Sequence, residues 1–194
     1  MKTLSALLKD RRNFGLVAVL LGVAGWVFSR VRTVNPAILG DEYLYSINAR
    51  HAAPWDASPA GDFSNYLFNL IYGQTSLCGE AFYTCGKILN LIFFIGFLIV
   101  IFLIAVKYLS YWISLSFTFA AGLSPISVYT SMFLPESMYF FMMSLVLLAT
   151  LKAATTFEWK DWGLVGILIG VASLVKPHAW LSAMAIGIFL VVLG

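Results

Sequence analysis

Apolar residues in this chain run in blocks instead of alternating with polar ones, and polar residues collect between the blocks. The first block is Phe14 to Val31. The clearest is Ile88 to Val106, bounded by Lys87 and Lys107. Trp112 to Tyr129 follows, interrupted by Pro125 near its far end, and Glu136 to Leu151 opens behind Pro135. A proline in a helix's first turn loses no hydrogen bond and presets the backbone angle. A fifth block runs from Gly163 to Lys176, and a sixth from His178 to Gly194. Helices of about 20 apolar residues match the hydrocarbon thickness of a bilayer. The expected fold class is therefore all-α. The chain reads as a polytopic helical membrane protein with about six transmembrane helices, forming a single transmembrane domain over residues 1–194.

Between the first two blocks lies a polar segment, 33–86, that is too rich in aromatics to be disordered. Phe63, Tyr66, Leu67, Leu70 and Ile71 recur on one helical face, with Ser64, Asn65 and Asn69 away from it. Such a helix lies in the membrane interface and does not cross it. Pro54 and Pro59 separate it from a short helix expected over Glu42 to Ala52. On that first helix Asp41, Tyr45 and Asn48 share a face, and Arg50 falls on the opposite one. The first outer loop is thus expected to hold two interfacial helices.

Composition fixes the environment. The chain is 61% hydrophobic and 11% charged, whereas a soluble domain is about half apolar and a quarter charged. Too little polar material remains to cover a water-facing surface. The net charge of +3 is modest, and Lys and Arg sit around the ends of apolar runs, a mark of membrane topology and not of nucleic-acid binding. Lys2, Lys9, Arg11 and Arg12 put the N-terminus in the cytoplasm and outweigh Arg30 and Arg32 beyond the first span. A cleavable signal peptide also begins basic and then apolar. No small-residue cleavage site follows Trp26-Val27-Phe28, so a retained anchor is expected. Cys78 and Cys85 match no CxxC redox or zinc pattern. Outside the cytoplasm they could form a disulfide; otherwise they are two buried thiols. One continuous helix carrying both would keep them apart.

Alternating spans bring Asp41, Glu42, Glu136, Lys176 and His178 to one outer level, although each loop or helix end is separate in sequence. Paired carboxylates can serve as general base and metal ligand, or orient a sugar's hydroxyls. Asp41 and Glu42 equally suit a helix start, where acidic groups are favourable. Glu136 follows Pro135 at a membrane boundary, where an acid must be hydrated, paired or useful. Lys176 closes the fifth block at headgroup level; it suits a helix C-terminus and would equally suit a lipid-linked phosphate. His178 could add a second donor. Tyr43, Tyr45, Trp55, Tyr66 and Tyr72 could line a sugar site, but tyrosine and tryptophan belts are common at any membrane interface. A transporter would carry polar groups mid-span and broken helices at repeated positions. Here the ionisable groups stay at span ends and no internal repeat is visible. A non-catalytic membrane subunit, binding lipid-linked sugar or scaffolding a partner, would share the topology without needing Asp41.

The stretches Gly40-Asp41-Glu42-Tyr43-Leu44-Tyr45, Leu134-Pro135-Glu136-Ser137 and Gly170-Val171-Ala172-Ser173-Leu174-Val175-Lys176-Pro177 resemble, in the same order, stretches of the GT-C glycosyltransferases. The closer similarity is to the protein O-mannosyltransferase and aminoarabinose-transferase branch. The resemblance implies a membrane enzyme that moves a sugar from a polyprenyl-phosphate donor to a lipid, glycan or protein acceptor, with inversion. Its implied setting is the bacterial cytoplasmic (inner) membrane, with the active site outside. Asp41 would be the catalytic carboxylate, with Glu42 and Glu136 as supporting acids. Lys176 would bind the donor phosphate, with His178 beside it; a divalent metal is left open. Family members are usually longer, so the chain resembles their N-terminal module and is expected to need further chain or a partner subunit.

Overall fold

The computed structural model describes residues 13–33, 40–51 and 65–193, and within them every regular element is helical. The N-terminal basic cluster, residues 34–39, and Ala52, Pro54, Trp55, Pro59, Phe63 and Ser64 lie outside the described residues. Helix α1 is Asn13–Thr33, α2 is Gly40–His51 and α3 is Tyr66–Gly73. A 3-10 segment, Gln74–Ala81, leads into α4, Phe82–Tyr108. Then follow α5 (Tyr111–Leu123), a 3-10 helix (Pro125–Ser131), α6 (Glu136–Thr156), α7 (Trp159–Val175), a 3-10 turn (Pro177–Trp180) and α8 (Leu181–Leu193).

Helices α1, α4 and α6 lie in stretches long and apolar enough to cross a membrane. Helix α5 and the 3-10 helix behind it reach that length together, bent by 52° at Ser124-Pro125. The bend follows from Pro125, which holds the preceding residue in an extended conformation. Helix α7 has 17 residues and α8 has 13, or about 26 Å and 20 Å at 1.5 Å per residue. Phe14, Leu21, Ile92, Trp112, Ile167 and Ile188 are strongly exposed. On a soluble protein that much apolar surface would drive association, but here it faces lipid.

Helix α3 buries polar and apolar residues together, and Leu67 and Ile71 of its apolar face pack against the core. Phe68, Asn69 and Tyr72 are buried, whereas Tyr66 and Leu70, on the apolar face read from the sequence, are exposed. A helix in lipid can leave part of its greasy side outward and turn its amides toward protein partners. At eight residues, α3 is too short to cross. It packs on α2 and α7 instead, and Gly73 comes so close to α2 that a Cβ there would sit 3.0 Å from the Ala49 carbonyl. The chain then kinks at Gly79, whose φ of 57° and ψ of −122° suit glycine alone. This kink lets Cys78 and Cys85 form a disulfide, which a continuous helix would have prevented.

The helices meet where small residues accept large ones. Val23, Val27 and Val31 of α1 pack with Phe94 and Leu98 of α4, and Gly122 of α5 lies against Val23. Val146, Ala149 and Ala153 of α6 meet Val165 and Ile169 of α7. At that far end Lys152 pairs with Asp161 at 2.6 Å, and Phe157 turns the chain with a φ of 53°. The largest cluster joins α2, α3, α4, α6 and α7 around the fully buried ring of Phe133. That ring stacks on Phe82 at 4.8 Å and meets Phe68, Tyr72 and Tyr83 edge-on. A Cβ at Gly86 would overlap the same ring. Gly86→Ala is accordingly expected to cost about 1–3 kcal/mol through overpacking, read as a lower melting temperature in detergent. An unchanged melt would mean that Phe133 moves aside freely.

Candidate functional site

Helix α2 begins with two acids that meet different fates. Asp41 is exposed and Glu42 is 1% exposed, since adjacent helical residues point about 100° apart. The buried face of α2 continues through Tyr45, Ser46, Asn48 and Ala49. Arg50, on the solvent side, lies over the Phe82 ring at 4.5 Å. Glu42 reaches across the fold: its Oε1 accepts the backbone N–H of Phe133 at 2.8 Å. Its other oxygen is buried without a hydrogen-bond partner.

Three residues after Phe133, α6 starts at Glu136 behind Pro135. The Glu136 Oε1 accepts from the Lys176 Nζ at 2.6 Å. Both side chains are mostly buried, at 17% and 25% exposed. Lys176 is the last residue before Pro177, so the end of α7 delivers the ammonium to the start of α6. The second Glu136 oxygen and the Ser137 hydroxyl are buried without partners. Asp41, Glu42, Glu136 and Lys176 thus belong to one end of the bundle, joined through the Phe133–Glu136 turn. His178 is exposed on the 3-10 turn after Lys176.

Tyr45 stands between these groups. Burial pushes its phenol up to about 12, the Glu136 and Asp41 charges push the same way, and a hydrogen bond with Asn65 opposes them. It therefore stays protonated at any physiological pH. Of the other aromatics considered from the sequence, Tyr72 is buried, Tyr43 and Tyr66 are exposed, and Trp55 is outside the described residues. Among the described residues, no three His, Cys, Asp or Glu side chains gather to hold a metal ion.

Two residues of α4 belong to this end although the sequence did not single them out. Lys87, read as a span boundary, is 3% exposed, and the Glu42 charge acts on it. Asn90, fully buried, accepts the Tyr72 O–H and donates from Nδ2 to the Met132 carbonyl at 2.5 Å. The available signal for Asn90 was its isolation as the polar residue within the run Ile88 to Val106. A polar group at that depth needs a partner.

No curated protein and no solved structure matches the chain. A protein-family model does match, described as dolichyl-phosphate-mannose-protein mannosyltransferase and covering residues 66–194. The match takes in α3 to α8, with Glu136 and Lys176, and leaves α2 with Asp41 and Glu42 ahead of it. On that match, with which the all-helical apolar bundle agrees, the chain belongs to the dolichyl-phosphate-mannose-protein mannosyltransferase family.

Proposed function

We propose that this end of the bundle transfers a sugar from a polyprenyl-phosphate donor to an acceptor outside the cytoplasm, with inversion, and that Asp41 is the catalytic carboxylate. The family supports a membrane glycosyltransferase of the GT-C type, and it implies a lipid-linked sugar donor. The observation that carries the finer reading is the division among the acids. Glu42 is held by a backbone N–H and Glu136 by Lys176, while Asp41 alone of the three stays exposed. An exposed carboxylate is reachable by an acceptor and is the fit choice for a general base.

In the proposed step the acceptor's hydroxyl gives its proton to Asp41 as its oxygen attacks the anomeric carbon. The bond from that carbon to the phosphate oxygen breaks, and the polyprenyl phosphate leaves with the electron pair. Lys176 offsets the charge that develops on the leaving phosphate, and Glu136 orients Lys176 in the meantime. A single displacement inverts the anomeric carbon. The disulfide beside Gly86 and Lys87 favours an oxidising compartment for this end, in keeping with the cytoplasmic N-terminus expected from Lys2, Lys9, Arg11 and Arg12.

Lys176→Ala tests the donor half of the reading. A charge-assisted contact is worth about 1.5–3 kcal/mol, so affinity for a polyprenyl-phosphate sugar should fall about 10- to 100-fold. Titration of the purified protein with that donor measures it. Wild-type affinity in the variant would leave Lys176 as a helix-end cation and nothing more.

A further inference from the structure

The carbonyl of Met132 and the N–H of Phe133 belong to one peptide group, and both of its ends are held. Asn90 of α4 donates to the carbonyl, and Glu42 of α2 accepts from the N–H. The partners are themselves fixed: Asn90 and Glu42 are buried, and Asn90 takes the Tyr72 hydroxyl from α3. The Phe133 ring is seated in the hollow at Gly86, one turn before Asn90. A single peptide unit therefore ties α2, α3 and α4 to the residues that lead into α6. Asp41 is the neighbour of Glu42 at one side of this tie, and Glu136 follows Phe133 by three residues at the other. Helix α2 is also fixed by packing, with Tyr45 and Ala49 in the largest core cluster and the Tyr83 hydroxyl donating to Ser46. It is 12 residues long, and the segments flanking it carry polar and proline residues and no long apolar run.

We infer that Glu42 and Asn90 are positioning residues that act through the Met132–Phe133 peptide to hold Asp41 at a set distance from the Glu136–Lys176 pair. The inference rests on the proposed role of Asp41 and deepens it. Glu42 then works as a hydrogen-bond acceptor and not as an acid or base. Asn90, buried in a membrane-spanning helix and away from any acceptor, controls the rate without touching substrate. Displacements of about 1 Å can cost on the order of 100-fold in rate, so the loss should fall on kcat.

The test is kinetic, with the full chain in detergent or vesicles and a synthetic polyprenyl-phosphate sugar as donor. Asn90→Ala should lower kcat at least 10-fold, change the donor KM less than threefold, and leave the pH profile in place. Glu42→Gln keeps an oxygen for the Phe133 N–H and should retain kcat within about 10-fold, whereas Glu42→Ala should not. In an Asp41→Asn background, Asn90→Ala should have no further effect on the residual rate, because its route runs through Asp41. Equal losses in Glu42→Gln and Glu42→Ala would overturn the inference, since the carboxylate itself would then be needed. So would an Asn90→Ala loss of the same size in both backgrounds, which marks general damage to the fold. Should Asn90→Ala fail to fold, the Glu42 pair of variants decides alone. Full transfer by Asp41→Asn is a different result: it removes the proposed role of Asp41 before any question of what positions it.

Discussion

Asp41→Asn is expected to lower sugar transfer from a polyprenyl-phosphate donor by at least 100-fold, with expression and lipid binding intact. A positioned general base contributes roughly 10²–10⁴ in rate, and asparagine keeps the shape of the side chain while losing the proton acceptor. The folded state should tolerate the change because Asp41 is exposed in the first turn of α2. Glu42 and Glu136 cannot easily substitute, each having one oxygen already committed. Transfer by the variant at the wild-type rate would take Asp41 out of the chemistry.

The neighbouring acid should behave in the opposite way. Glu42→Ala removes the acceptor of a buried N–H and leaves that N–H unmatched, at a cost of about 2–3 kcal/mol. It also strips a negative charge from the surroundings of the buried Lys87. The result should be a clear drop in melting temperature, with Glu42→Gln nearer the wild type. A pair of adjacent acids, one removable without structural harm and the other not, is a sharp signature. If Glu42→Ala melts like the wild type, the bond to Phe133 has no structural weight.

Much of the scaffold was legible from hydropathy. The blocks beginning at Phe14, Ile88 and Glu136 became α1, most of α4, and α6, since lipid demands a long apolar helix whatever it packs against. The break at Pro125 and the helix start behind Pro135 were equally readable, because proline acts locally through its ring. The kink at Gly79 was not. The sequence left the cysteines between a bridge and two thiols, and only the backbone kink at Gly79 decided for the bridge.

Among the site residues, pattern alone brought Asp41, Glu42, Glu136 and Lys176 under suspicion, as charges are rare in such a chain and stand out. It did not reveal that Glu136 and Lys176 are paired, for they lie 40 positions apart on helices whose rotation hydropathy does not set. Lys87 bounds the run Ile88 to Val106, but its burial was not legible, because a lysine at a span end usually reaches water. The role of Asn90 was not legible, because a single amide barely alters an apolar run.

The sequence by itself determined that the chain is a helical membrane protein and which end of each span carries charge. Both follow from the free energy of moving residues between water and hydrocarbon, a property of short stretches. Only the tertiary structure decided which of two adjacent acids is locked to Phe133 and which stands open. That choice depends on the angular setting of α2 against α4 and α6, where a one-residue step of about 100° exchanges the buried side for the exposed one.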